Sequence, residues 1–306
     1  MRIRWRILAC LCLCGLLVWF LAGSDHVRAV MQEGLALCAR SVIPSLFPFM
    51  VVTSLLLSLG LGELAAPWLA GLMEPLFRVP GAGSAALLLG LIGGYPIGAQ
   101  TAAELYRGGL VTRAEAERLL ACCNNSNPVF LISVLGAGVF GSVRAGVWLW
   151  LIHVLSALLT GLVFRGTGAD ARACRTAKRP VFRAAGLIPA FVGAVRSSVS
   201  GMLSVCGFVL FFYVLAQPLA ALGGRLGPCL VGITELFSLT PLLTPDAFGF
   251  VLAAGAAGWG GVSVLCQTLA VLEGSGLRLR NCLLGKAVQS AFSLLLAALL
   301  AGYVLG

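Results

Sequence analysis

Long apolar runs with almost no charge dominate this sequence and constrain its fold more than any other feature. Hydrophobic residues make up 59% of the 306 residues and charged residues only 10%, against about 25% charged in an ordinary soluble domain. That is too little charge to cover the surface of a soluble fold, so a soluble enzyme, a disordered protein and a nucleic-acid-binding module are excluded. The runs are longer than the ~10-residue alternating strands of an outer-membrane barrel. The sequence therefore predicts an all-α polytopic membrane protein.

The net charge of +10 is concentrated in two short stretches, which suits orientation in a bilayer better than nucleic-acid binding. One stretch precedes the first apolar run, residues 7–22, and the other is the loop 165–183. We expect both on the cytoplasmic side, with 7–22 as an uncleaved first helix; a signal peptide is the alternative. Residues 24–40 carry balanced charges and are predicted to form an outer loop.

About seven crossings are predicted. After the first helix the first half supplies three, and residues 63–80 and 121–141 are too short or too polar to span and are predicted to be re-entrant. The second half contains a short apolar segment, 226–245, and a polar connection, Leu277 to Lys286. The predicted spans after the first helix are 42–61, 84–106, 145–164, 198–222, 247–272 and 287–305.

The two halves of the chain resemble each other. At an offset of 167 residues, nine positions between 93 and 113 are identical, including the pair Gln100-Thr101 with Gln267-Thr268. An internal repeat follows, with the first helix and loop at 1–33, repeat 1 at 34–164, a basic linker at 165–185 and repeat 2 at 186–306.

Topology makes these repeats inverted. If residues 1 and 165–183 are cytoplasmic and the first helix ends outside, repeat 1 crosses an odd number of times. Repeat 2 then enters the membrane in the opposite orientation. Inverted repeats with broken helices are typical of transporters that bind a solute near the bilayer midplane.

Two acidic residues occupy matched places in short apolar segments of the repeats. A carboxylate at membrane depth is costly and usually has a role in binding or ion coupling, so Glu74 and Glu235 are candidate substrate-site residues. The alternative is a position at the headgroup level, with Glu74 paired to Arg78.

Interruptions of the apolar runs are the second group of candidates. Gly93-Gly94-Tyr95-Pro96 and Gly258-Trp259-Gly260-Gly261 predict broken helices with free backbone polar groups, or simple packing kinks. The side chains that follow each break would line the same cavity: Gln100, Thr101, Gln267 and Thr268.

Asn124, Asn125 and Ser126 form the densest uncharged polar patch of the chain. Unpaired amides are costly in hydrocarbon, so these residues predict either a solvated substrate cavity or a helix N-cap ahead of Pro128. No cofactor, metal site or catalytic motif is predicted, because the 11 cysteines are scattered and His26 and His153 stand alone. We interpret His153 as an intramembrane donor with a satisfied hydrogen bond, and we expect no enzymatic activity.

Three segments resemble the YlbJ-type sporulation integral membrane proteins, which carry the nucleoside-recognition or Gate domain in two copies. They are S-V-I-P-S-L-F-P-F at 41–49, G-L-I-G-G-Y-P-I-G-A-Q at 90–100 and C-N-N-S-N-P-V-F at 123–130. The likeness extends over roughly residues 35–300. The second copy departs from the pattern, because GWGG replaces GGYP, and equal roles for the two halves are not implied.

The resemblance implies a spore-forming bacterium and movement of dipicolinic acid through the outer forespore membrane. It also implies a likeness to the repeats of concentrative nucleoside transporters. On this basis we expect a transporter of a small organic anion, held by Arg78, Asn124, Asn125, Ser126 and backbone N–H groups, with Tyr95 stacked on the pyridine ring. A nucleoside carrier and a non-transporting spore-envelope assembly protein are the alternatives. The expected partners are a small molecule and the lipid bilayer, with a homo-oligomer left open.

Overall fold

A computed structural model describes residues 2–166 and 186–306, and within these ranges the protein is entirely helical. Most of the basic stretch 165–183 lies outside the described residues, as does the linker that was predicted there. The first half contains α1 (Arg2–Ala22), α2 (Ser24–Leu37), α3 (Ile43–Ser58), α4 (Leu61–Phe77), α5 (Ser84–Gly93), α6 (Ile97–Arg107), α7 (Arg113–Leu119) and α8 (Val143–Phe164). The second half contains α9 (Leu187–Ala220), α10 (Leu226–Thr234), α11 (Leu236–Leu239), α12 (Ala247–Trp259), α13 (Gly261–Leu272) and α14 (Arg280–Leu305).

Six helical stretches in the described residues are long and apolar enough to cross a membrane. The pair Ala66–Phe77 and Gly81–Gly93, bent by 91°, makes a seventh if it is counted as one broken span. The predicted polytopic all-α fold is therefore confirmed. The six stretches are Arg4–Ala22, Ser24–Ser58, Val143–Phe164, Leu187–Ala220, Ala247–Leu272 and Arg280–Leu305.

Both predicted helix breaks are present. The chain leaves α5 at Gly94, which has a φ of 85°, and starts α6 at Ile97. In the second half α12 ends at Gly260, with a φ of 86°, and α13 follows at once. Residues 84–106, predicted as one crossing, are thus two half-length helices, because a left-handed glycine and the following Pro96 end the first of them.

Two further segments of the first half differ in how well they match the sequence-based expectation. Residues 24–40 are helical and not a loop, because α2 runs through a π-helical turn at Cys38–Val42 into α3 and forms one helix of 35 residues. Charge balance had indicated a loop, but the charged side chains lie on an exposed helix face. Residues 121–141 contain only a 10-residue π-helix, Phe130–Val139, which is too short to span the bilayer, as predicted.

The predicted polar connection from Leu277 to Lys286 is wrong at its carboxyl end. Helix α14 begins at Arg280 and carries Lys286 as a buried residue, 1% exposed. The charge had indicated a loop. Inside the protein, however, three neutral acceptors surround this ammonium group, so the helix continues through it.

Candidate functional site

Buried polar side chains from both halves meet at the centre of the molecule. The extended segment 124–127, which follows α7, runs past the break between α5 and α6 and past the amino-terminal half of α14. We call this group the central polar cluster; its members are Tyr95, Asn124, Asn125, Ser126, His153, Thr268, Lys286 and Gln289.

Lys286 is the centre of the cluster. Its Nζ donates hydrogen bonds to Tyr95 Oη at 3.1 Å, to the Asn124 carbonyl at 2.9 Å and to Gln289 Oε1 at 2.9 Å. Tyr95 Oη in turn donates to the Ala257 carbonyl at 2.6 Å, which ties the first break to the end of α12. Within residues 2–166 and 186–306, no carboxylate forms an ion pair with this ammonium group. The cluster therefore holds a buried cation whose partners are all neutral.

Amide side chains extend the cluster across the two halves. Gln289 Nε2 donates to Asn125 Oδ1 at 2.8 Å, and Asn125 Nδ2 donates to the Cys122 carbonyl at 2.7 Å. Asn124 Nδ2 donates to Thr268 Oγ1 at 2.8 Å. These bonds join the 124–127 segment to α13 and α14, so the asparagine patch is a buried junction between the two halves of the chain.

Two polar atoms of the cluster have no hydrogen-bond partner among the described residues. One is Asn124 Oδ1 and the other is His153 Nδ1. His153 Nε2 accepts from the Ser126 backbone N–H at 3.0 Å, so the neutral ring carries its proton on Nδ1. His153 is thus a satisfied acceptor and not the satisfied donor that was expected, because its Nδ1–H has no partner among the described residues. Buried polar groups of this kind need a partner, which water or a ligand can supply.

Close packing at glycines fixes the turn before the asparagines. A Cβ atom on Gly90 or on Gly98 would overlap the Cys123 carbonyl, and one on Gly285 would overlap the Ala121 carbonyl. Helices α5, α6 and α14 can therefore approach this turn only because these positions lack side chains.

A small cavity lies beside the cluster, and we call it the central cavity. Its volume is about 20 Å³, about the space of one water molecule. Its walls combine apolar side chains with polar members of both repeats. They include Leu46, Tyr95, Ser126, Phe130, Phe237 and Gln267.

The two predicted acids do not occupy equivalent places. Glu74 lies exposed in the last turn of α4, and Arg78, which ends that helix with a φ of 53°, is exposed too. Both side chains therefore lie outside the buried central polar cluster. Glu235 is buried, 1% exposed, and its carboxylate accepts hydrogen bonds from the backbone N–H and the hydroxyl of Ser238. Glu235 therefore caps the amino end of α11, and its role in the structure is to satisfy the backbone at the start of that helix.

The four polar side chains that follow the two breaks do not all lie at the central polar cluster. Gln100 turns away from the cluster and donates to Glu104 Oε1 at 2.9 Å, whereas Gln267 borders the central cavity. Thr101 is buried but hydrogen-bonds only the Ile97 carbonyl, while Thr268 joins the cluster. Gly93 and Gly94 shape the break and place Tyr95 in the cluster. The expectation that all four polar side chains line one cavity is therefore not met: Gln100 borders a different, smaller cavity, and Thr101 borders neither of the two.

The sequence reasoning missed Lys286 and Gln289. A usable signal was present in α14, where Lys286, Gln289 and Ser293 recur at helical spacing and are all buried. A polar stripe inside an apolar helix faces the protein interior, since lipid offers it no partner.

Comparisons with known proteins agree with the observed architecture. Residues 39–146 match the family model for the Gate domain, described as nucleoside recognition. The chain is 29% identical over 316 residues to the sporulation integral membrane protein YlbJ of Bacillus subtilis (strain 168), with 88% of this chain and 76% of that protein covered. No solved structure matches the chain. The predicted resemblance is confirmed, and the three segments that carried it lie within the Gate match.

Proposed function

We propose that this integral membrane protein transports a small organic anion, and that the anion is dipicolinate. The observation that carries the proposal is the buried Lys286, whose ammonium group has only neutral hydrogen-bond partners among residues 2–166 and 186–306. A buried ammonium group without a counter-ion is costly, and in membrane proteins such charges usually mark a substrate or ion pathway. An anionic solute would supply the missing charge.

The position of Lys286 suits a transport site. Its partner Tyr95 lies in the break between α5 and α6, and the hydroxyl of Tyr95 reaches the end of α12. At each break the carboxyl end of one short helix meets the amino end of the next, so the helix dipoles largely offset each other. Lys286 therefore supplies the net positive charge near the central cavity.

Dipicolinate fits this site on chemical grounds as well as by resemblance. Its two carboxylates require hydrogen-bond donors and positive charge. The Nδ1–H of His153 has no partner among the described residues, and Tyr95 and Lys286 can supply further donors when the solute displaces their present acceptors, among them the Ala257 carbonyl. The aromatic ring of Tyr95 borders the central cavity and could stack on a pyridine ring. The resemblance to YlbJ supports a role in sporulation, and the outer forespore membrane is the location that we propose.

The central cavity, at about 20 Å³, is too small for dipicolinate. The described conformation is therefore contracted, and transport requires the cavity walls to separate. In transporters with inverted repeats, one repeat rocks or gates against the other around a fixed site, and this movement would separate the cavity walls. No step in this proposal makes or breaks a covalent bond, so we propose a carrier and not an enzyme.

The direct test is uptake by the purified full chain in liposomes. We expect labelled dipicolinate to accumulate faster than in protein-free liposomes, with saturation as its concentration rises. Uridine serves as the second arm, because the Gate match is described as nucleoside recognition. Uptake of uridine but not of dipicolinate would show that the substrate is a nucleoside and not an organic anion. Uptake of neither solute would favour the assembly-protein alternative.

A further inference from the structure

Three cavities lie in a row along one pair of helices. The 35-residue helix Ser24–Ser58 lines a large cavity with Glu33 to Ser41, the central cavity with Leu46, and a third, small cavity with Met50 to Leu57. Helix α9 lines the same three in reverse order. Its residues are Tyr213 in the large cavity, Val205 in the central cavity, and Ser197 with Ser198 in the small cavity. The two helices are therefore antiparallel, and the cavities follow the groove between them.

This row of cavities is long enough to cross a bilayer. From Glu33 to Leu57 the helix rises about 36 Å, at ~1.5 Å per residue. The hydrocarbon core of a bilayer is about 30 Å thick. The large cavity thus lies near one membrane surface and the small cavity near the other.

The ends of the row are lined by corresponding residues of the two repeats. Ser41-Val42 corresponds in sequence to Ser198-Val199, and Ser41 borders the large cavity while Ser198 borders the small one. Inverted repeats produce this arrangement, because equivalent residues lie on opposite sides of the membrane. The large cavity of about 850 Å³ and the small cavity of about 10 Å³ are then the open and closed ends of one path.

A ring pair separates the open end from the centre. Phe130 and Phe237 both border the central cavity, and their ring centroids lie 4.8 Å apart in an edge-to-face contact. The short helices that carry them continue to Val134, Gly138 and Thr240 in the wall of the large cavity. The two rings are therefore placed between the large cavity and the central polar cluster.

We propose that these cavities form the translocation path of the solute, that the large cavity is its entrance, and that the Phe130–Phe237 pair is the gate at the entrance to the site. This inference rests on the proposed transport function. The solute enters between helix Ser24–Ser58 and α9, passes the separated rings and reaches Tyr95 and Lys286. It leaves through the small cavity when that end opens.

The test of the entrance uses two glycine substitutions in the full chain. A Cβ atom on Gly138 would meet only Ser133 O of its own helix, at 3.5 Å, and one on Gly207 of α9 would have no neighbour within 4 Å. A side chain can therefore start at both positions without a clash at its Cβ atom, but only Gly138 borders the large cavity. Gly138→Trp should lower the initial rate of dipicolinate uptake at least tenfold, while Gly207→Trp stays within twofold of wild type. A normal rate for Gly138→Trp overturns the proposed entrance.

A second measurement tests the path without any solute. Ser41→Cys and Ile43→Cys lie on the same helix, but Ser41 borders the large cavity and Ile43 is exposed on the outer face. A polar, membrane-impermeant thiosulfonate should modify Ser41→Cys at least tenfold faster, as measured by mass spectrometry of the peptide that carries the new cysteine. If wild type takes up no dipicolinate and this difference still appears, the path stands and the substrate is wrong. If Ser41→Cys is not modified faster, the path itself is wrong.

Discussion

Removal of the Lys286 charge should weaken dipicolinate binding with little change in the fold. We choose Lys286→Gln because a neutral amide still donates hydrogen bonds toward Asn124 O and Gln289 Oε1, which otherwise lose their donor. An unsatisfied buried acceptor costs about 1–3 kcal/mol, whereas a buried charge is itself destabilising. These effects oppose each other, so the melting temperature of Lys286→Gln should remain close to that of wild type.

The size of the effect on binding follows from two hydrogen bonds in sequence. Lys286 Nζ lies 3.1 Å from Tyr95 Oη, which borders the central cavity. A carboxylate that displaces the Ala257 carbonyl as the acceptor of this hydroxyl would lie about 6 Å from Nζ. With an effective dielectric constant of about 20, two unit charges at this distance attract by about 3 kcal/mol. The expected loss in Lys286→Gln is therefore roughly 100-fold in Kd.

Calorimetric titration of dipicolinate into the purified protein in detergent gives this Kd. Arg280→Gln is the matched control, because it removes the same charge from the same helix at an exposed position. We expect its Kd to stay within about threefold of wild type. Equal affinities of Lys286→Gln and wild type would refute the assignment of the anion site to this lysine.

Four other substitutions test the charge, the excluded acid and base, and the glycine packing. Gln289→Glu gives the lysine a counter-ion 2.9 Å away but removes the donor to Asn125 Oδ1, so thermal stability in detergent should stay near that of wild type while dipicolinate uptake falls at least tenfold. Retained uptake would show that the free charge is not needed. Glu74→Gln and Arg78→Ala alter exposed side chains, so both variants should take up dipicolinate at a rate within twofold of wild type. A large loss of uptake in either variant would show that the residue belongs to the substrate site. Gly98→Ala places a methyl group against the Cys123 carbonyl and should cost about 1–3 kcal/mol in unfolding, whereas Gly71→Ala meets no neighbour and should cost nothing; equal stabilities would contradict the packing argument.

The general fold could be predicted from the sequence because its determinants are local. Apolar runs define the spans, and the glycine-rich and proline-containing breaks near residues 94 and 260 end their helices as expected. The nearly charge-free interior of each span and the offset of 167 residues are visible in the chain itself.

The composition of the site could not be predicted in the same way. Glu74 and Glu235 have matching sequence contexts, yet one is exposed and the other caps a helix inside the protein. The charge of Lys286 indicated a loop, but the residue is buried within a helix. Three acceptors, two of them far away in sequence, bind its ammonium group there. Burial of a polar group depends on partners that only the tertiary structure brings together.

The central claim is that the site recognises negative charge on a small aromatic solute through Lys286. The most direct test is the ratio of uptake rates in liposomes for two compounds with the same ring, dipicolinate and the uncharged pyridine-2,6-dicarboxamide. We expect wild type to prefer dipicolinate by at least tenfold and Lys286→Gln to lose most of that preference. Equal uptake of the two compounds by wild type, or an unchanged preference in Lys286→Gln, would contradict the account.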